Sequence, residues 1–327
     1  MHRFIGRRLL EMIPILLVVA VLVFVLMELV PGDPVKIMLG DNATEQQVQE
    51  AREELGLNDP WLTRFINFIG GALRLDFGKS YMTRLPVGEE LMTRFPRTLL
   101  LAVLSIAFTV LLGIPIGIRC ALKADKLTDR IWLIITLLAN SMPSFWLALL
   151  LVLLFALNLK ILPSSGIGGI KYYILPVIAS SMGSLAAIAR QTRASMLEVI
   201  RADYITTAKS KGISMRNTIM RHALPNALIP IITVIGAHFS MLLGGTTVIE
   251  SVFSFPGIGL YIINGINNRD YPVVRGGVLY IAFTFAIMML IVDIIYAYAD
   301  PRIKAQYAGP SRSKKTEKRG AEHEQKK

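Results

Sequence analysis

The chain has 327 residues, 53% hydrophobic and only 18% charged, with a formal net charge of +12 from 35 Lys and Arg against 23 Asp and Glu. A soluble domain of this size carries about 25% charged residues and no repeated runs of roughly 20 apolar ones, so a large soluble core is excluded in favour of a helical membrane protein. One cysteine, Cys120, excludes a disulfide framework and a cysteine-based metal cluster.

Six spans are expected in chain order. The first covers Leu9–Val30, behind Arg3, Arg7 and Arg8. It is too long for a cleaved signal peptide and reads as an uncleaved anchor that also targets the chain. Residues 31–97 come next as a polar segment with a helix-like run, "TEQQVQEAREELGL", which Thr44 can cap and Gly56 can end. The remaining spans are Thr98–Leu122, Ile131–Leu157, Tyr173–Ala189, Ala227–Glu250 and Val273–Ala299. Each must satisfy its backbone internally and is therefore a helix. Tyr173–Ala189 is the weakest, being short and containing Pro176. "GIPIG" (Gly113 to Gly117) allows close helix packing in the second span. The tail from Gly309 lacks apolar anchors and reads as disordered, with an affinity for anionic lipid heads.

Charge sets the sidedness. An even number of spans puts both ends on one side. That side collects 23 of the 35 Lys and Arg: three before the first span, four between the second and third, seven in residues 190–226 and nine in the tail. The positive-inside rule makes this side the cytoplasm.

No catalytic signature appears. HExxH, GxSxG and workable carboxylate pairs are missing. "DFGKSY" (Asp76 to Tyr81) resembles the end of a phosphate loop, but Leu73 stands where the first Gly is needed. The chain is therefore expected to be non-catalytic, binding neither nucleotide nor metal. His238, alone in the fifth span, either faces a substrate path or bonds a neighbouring helix. Asp293, in the sixth, either serves proton coupling or binds a neighbouring helix or subunit. The apolar stretch 251–272, broken by Pro256, Gly257 and Gly259, is expected to dip back toward the membrane packed on protein. It would either gate the outer mouth, with Phe253, Phe255 and Pro256, or brace the last two spans.

The cytoplasmic stretch "ADYITTAKSKGISMRNTIMRHALPN" (202–226) stands apart. Tyr204, Ile205 and Ala208 form a narrow apolar strip on a short helix. Asp203 suits its N-terminal end, Lys209 and Lys211 its C-terminal end. Gly212 fits the left-handed terminating position. Ser214 can cap a second helix with Met215 and Ile219 on one face, and Pro225 is expected to break it before the fifth span. The result is a docking elbow rather than a loose loop.

This stretch resembles the loop that permease subunits of ATP-binding cassette importers present to their ATPases: EAA, three residues, Gly, nine residues, Ile-x-Leu-Pro. Ala208, Gly212 and His222-Ala-Leu224-Pro225 match that spacing. Thr206, Thr207 and His222 replace the Glu, the first Ala and the Ile. "DYITTAKSKG" and "RHALPNALIPIIT" are similar to the variant in the dipeptide, oligopeptide and nickel permeases. So are "RFIGRRLL", "PGDP", "LDFGKSY", "SMPSFWLALLL", "ESVFSFPGIG", "NRDYPVVRG" and "DPRIK", in order over residues 3–304.

The resemblance implies an all-α membrane protein with the six-helix permease fold of type I importers and both termini cytoplasmic, in a prokaryotic cell membrane. It implies as partners a second homologous permease, two ATPase subunits or domains that hold ATP and Mg, an extracytoplasmic substrate-binding protein and the lipid bilayer, with no nucleic acid. The expected divisions are 1–30, an external 31–97, a 98–299 core with the coupling loop 190–226, and a 300–327 tail. Asp203, Tyr204, Ala208, Lys209, Lys211 and Gly212 would touch the ATPase, braced by Arg216, Leu224 and Pro225. Di- or oligopeptides are the leading substrate; nickel, a metal chelate and glutathione are alternatives. Two other classes stay open: an ion-coupled secondary transporter and a scaffold.

Overall fold

A computed structural model describes residues 2–40 and 42–299; the basic tail and "DPRIK" lie outside the described residues. Fourteen α-helices occur in it: α1 His2–Leu29, α2 Pro34–Leu39, α3 Glu45–Glu54, α4 Trp61–Ala72, α5 Val87–Leu122, α6 Leu127–Ser141, α7 Ser144–Leu151, α8 Lys171–Ile200, α9 Asp203–Ser210, α10 Met215–Asn217, α11 Leu224–Gly245, α12 Thr247–Val252, α13 Ile258–Asn267 and α14 Tyr271–Ala299. Wider i→i−5 turns extend α7 over Val152–Asn158 and join α10 to α11 over Thr218–Ala223.

Five stretches are long and apolar enough to cross a membrane: within α1, α5, α8, the continuous run Met215–Gly244 and α14. The third expected span, Ile131–Leu157, is not one rod. α6 and the helix from Ser144 to Asn158 meet at 99°. Pro143 explains the break: it has no N–H to donate and pushes the preceding residue out of helical geometry. Met142 accordingly sits at φ −80°, ψ 125°, in extended backbone.

The fourth span, expected to be short, is a 30-residue helix and the most buried of the long ones. Its small and hydroxyl side chains suit that position. α8 packs against α5, α6, α7 and α11, so Ser181, Ser184, Ala186, Ala189, Thr192 and Ser195 let its neighbours approach closely. At Gly117 of α5 an added Cβ would lie 2.5 Å from Thr192 Cβ. "GIPIG" thus works within the chain, against α8.

α5 begins eleven residues before the expected span, and Pro96 is carried inside it. α3 starts as expected, with a reciprocal capping box between Thr44 and Gln47. The stretch 251–272 holds the end of α12 and all of α13, and Ile258, Gly259, Tyr261, Ile262 and Gly265 are buried in it. α4 stands against α1, with Phe24 edge-on to Trp61 and Phe65 at centroid distances of 5.7 and 5.2 Å.

Segments expected on the same side of the membrane meet one another. Ala121 packs with Ile205 and Ile219, Asp129 with Arg193, Ser80 with Asp270, and the Gly166 N–H donates to the Phe253 carbonyl at 3.0 Å.

Candidate functional site

The stretch after α8 turns sharply at Arg201 and Ala202, and Ala202 lies in extended backbone ahead of α9. α9 ends in a complete Schellman closure. The Ile213 N–H donates to the Ala208 carbonyl at 3.3 Å, and the Gly212 N–H to the Lys209 carbonyl at 2.9 Å, with Gly212 at φ +75°. The next helix starts at Ser214, whose Oγ accepts the Asn217 N–H at 3.5 Å.

From there the structure departs from the expected elbow. The helix does not stop at Pro225. It continues as one helical run into the fifth span. A proline ring clashes with the carbonyl four residues earlier; here that carbonyl, of Arg221, lies in the widened Thr218–Ala223 segment, where i→i−5 bonding leaves room. Pro225 itself sits in the first turn of α11, where its missing N–H costs little. The loop is therefore shorter than 190–226: residues up to Ile200 belong to α8, and from Met215 the chain is helical again.

α9 has two faces. Ile205, 1% exposed, and Ala208 turn inward with Met196, Ile219, Ala223, Ala227 and Ile231 and with Ala121 of α5. Asp203, Tyr204, Thr206, Thr207, Lys209 and Lys211 face outward, as does Arg216 beyond it. Of the expected apolar strip, Tyr204 is on the outer face. Of the expected pair on the second helix, Ile219 is buried and Met215 exposed. Ala208 is thus part of the seat, and Leu224 is half-buried beside it. The seat joins the ends of α5, α8 and α11, so force on α9 reaches three spans.

Within the membrane, α6, the 141–144 break, α7, α8 and α11 surround a cavity of about 260 Å³. Asn140, Ser144, Ser180, Ser184, His238 and Met241 are among its lining residues. His238 Nδ1 is 3.2 Å from Ser184 Oγ. The other pathway residues are held in contacts. Phe253 and Phe255 are buried, and Tyr173 meets Phe255 edge-on at 5.3 Å. The Pro256 carbonyl accepts from Arg97 at 3.4 Å. Asp293 pairs with Arg8 of α1 at 3.3 Å, the helix-neighbour alternative.

Two models for binding-protein-dependent transport systems match this chain: the inner membrane component over residues 113–305 and the N-terminal membrane component over residues 1–102. The chain belongs to the family of binding-protein-dependent transport system inner membrane components. Among its relatives, the glutathione transport system permease protein GsiC of Salmonella typhimurium is 38% identical over 304 residues, 93% of this chain and 99% of that protein. A putative peptide transport system permease protein of Brucella abortus is 39% identical over 306 residues, 91% and 98% of the two chains. The fold matches a chain of the inward-facing MetNI methionine ABC transporter (TM-score 0.55, 17% identity, 64% of this chain and 96% of that one). It also matches an amino acid ABC transporter solved with histidines (TM-score 0.50, 19% identity, 65% and 94%). The protein is a multi-pass permease of a bacterial ATP-binding cassette import system.

Four further acids are held in contacts in this permease: Asp270 and Asp129 were not singled out from sequence, and Glu28 and Glu250 read there as acids near span ends, within reach of water. Asp270, 2% exposed, accepts from Ser80 Oγ at 2.5 Å, the Tyr81 N–H at 3.1 Å and the Met82 N–H at 3.4 Å. "LDFGKSY" and "NRDYPVVRG" are thus two halves of one latch. Glu250, fully buried, accepts from Thr98 Oγ1 at 2.8 Å and from the Leu260 N–H at 3.0 Å, and Thr98 in turn accepts the Ile258 N–H. Its carboxylate sits at the N-terminus of α13, where the helix dipole favours negative charge. Glu28 binds both Arg64 and Arg275. Asp129, 1% exposed, takes a two-pronged grip from Arg193, with both contacts at 2.7 Å.

Tyr81, in the external segment, is buried beside this latch, and burial pushes its phenol up from 10.0 to about 12. A raised folded value means that Tyr81 favours the folded state below pH ~10 and that this contribution is lost as pH climbs to ~12. The difference in phenolate absorbance between wild type and Tyr81→Phe should therefore stay near zero until about pH 11. A difference already half developed near pH 10 would show the phenol to be exposed.

Proposed function

We propose that this chain is one of two homologous permease subunits of a peptide importer, and that α9 with its flanking turns is where an ATPase partner grips it. The observation that carries this is the two-faced α9. It is a polar helix of eight residues, about 12 Å long, seated by Ile205 and Ala208 on the converging ends of α5, α8 and α11. Asp203, Tyr204, Lys209, Lys211 and Arg216 offer the outer contact. Ala208, Leu224 and Pro225 hold the seat, and Gly212 sets the angle between α9 and the helical run that begins at Met215. A loose basic loop would need neither a Schellman closure nor a buried strip.

In this reading the subunit does no chemistry. ATP and Mg are held by the partner ATPases, whose closing moves α9. The rigid seat passes that motion to α8 and α11, and packed helices rock between outward and inward opening. A substrate-binding protein delivers cargo at the opposite face, where 31–97 and 251–272 are latched together. The excess of Lys and Arg supports a cytoplasmic position for α9, both termini and the tail. Peptide or glutathione is the cargo that the relatives' names support.

The test is co-expression of the chain with a second permease, two ATPase subunits and a binding protein. A stable complex whose uptake of labelled peptide or glutathione into proteoliposomes is ATP-dependent and vanadate-sensitive is the expected result. Uptake by the purified chain alone, driven by an ion gradient, would overturn the reading.

A further inference from the structure

The 260 Å³ cavity carries no Asp, Glu, Lys or Arg among its lining residues. The backbone amides of a peptide entering it can keep their hydrogen bonds, on Asn140, Ser144 and His238. Met142, Met182 and Met241 add a lining that adapts to varied shapes.

The polar groups differ in what they have left to offer. Ser180 is occupied, bonded to Ser105 Oγ at 2.7 Å and to the Pro176 carbonyl at 2.8 Å. His238 uses Nδ1 on Ser184, and its Nε2 has no partner among the described residues. When Ser184 Oγ donates to Nδ1, the proton resides on Nε2 and the ring offers a donor to a carbonyl.

We propose that His238 is a specificity-determining contact of the translocation path, with Ser184 aiming the ring and Nε2 bonding a peptide amide of the passing substrate. This rests on the importer reading above. It assigns the ring's two nitrogens different tasks, and the amide side chains separate them. Gln reaches to where Nε2 stands, and Asn only to where Nδ1 stands.

The assembled transporter with its binding protein is reconstituted, and uptake of labelled trialanine and labelled glutathione is measured per ATP hydrolysed. His238→Ala should lower that ratio about tenfold, the loss of one well-placed hydrogen bond. His238→Gln should restore most of it, and His238→Asn should not. Recovery by Asn alone or by both amides equally, failure of Gln to restore, or an unchanged ratio in the Ala variant overturns the assignment. If wild type shows no ATP-driven uptake of either probe, the peptide or glutathione cargo reading fails instead, before any variant is compared.

Discussion

Gly212→Val should leave the complex assembled while cutting substrate uptake about tenfold and leaving ATP hydrolysis unresponsive to loaded binding protein. Space is not the issue, since a Cβ at Gly212 meets nothing within 4 Å. The backbone is. At φ +75° a β-branched residue is strained by roughly 1–2 kcal/mol, and escaping the strain means giving up both closing bonds of α9. A free-energy shift of about 1.4 kcal/mol is tenfold in the fraction of molecules with α9 correctly angled. Gly212→Asn, which tolerates left-handed backbone, should keep most of the uptake. The checks are vanadate-sensitive transport and stimulated ATPase rates at matched expression. Normal transport by the Val variant would remove the coupling role from this turn.

Asp270→Ala should open the external face. Alanine leaves the Ser80 hydroxyl and the Tyr81 and Met82 N–H groups without their acceptor in a site closed to water. Each buried unpaired donor costs about 1–3 kcal/mol, so the latch as a whole loses several. The loop around Gly78 then detaches from the start of α14. Limited trypsin digestion of the purified complex should cut at Lys79 and Arg84 in the variant while wild type resists. Asp270→Asn keeps one acceptor oxygen but turns an NH₂ toward donors, and should fall between the two. Equal resistance in the Ala variant would show that the loop is held by its packing alone.

The reach of sequence reasoning is set by distance along the chain. The spans, the Thr44 cap and the Gly212 turn depend on neighbours within a few residues, and local pattern carries them. Pro143 lies inside the expected span Ile131–Leu157, in "SMPSFWLALLL", and that span was expected as a single helix. Pro225 was read the opposite way, as a break. Its effect depends on the widened turns before it, which no residue pattern announces. The buried acids were harder still. Ser80 and Asp270 are 190 positions apart, Thr98 and Glu250 152, and Asp129 and Arg193 64. Nothing local distinguishes these carboxylates from solvated ones. Asp129 and Glu250 lie near span ends, where an acid usually meets water. α9 was legible as an element, but its division into seat and outer face was not. Tyr204, Ile205 and Ala208 looked like one stripe, and only the packing of α5, α8 and α11 shows which of them turns inward.

The bend at Pro143 also bears on the lipid around the protein. α6 has 15 residues, about 22 Å of helix, and the leg from Ser144 to Asn158 is no longer. A hydrocarbon layer of about 30 Å is thicker than either leg. Where α6 and α7 meet the bilayer, the lipids must thin to meet the protein, or a neighbouring subunit must cover the shortfall. The corner at residues 141–144 is therefore where this permease should be most sensitive to acyl-chain length, and where a thicker membrane would bear on the same corner that walls the cavity beside His238.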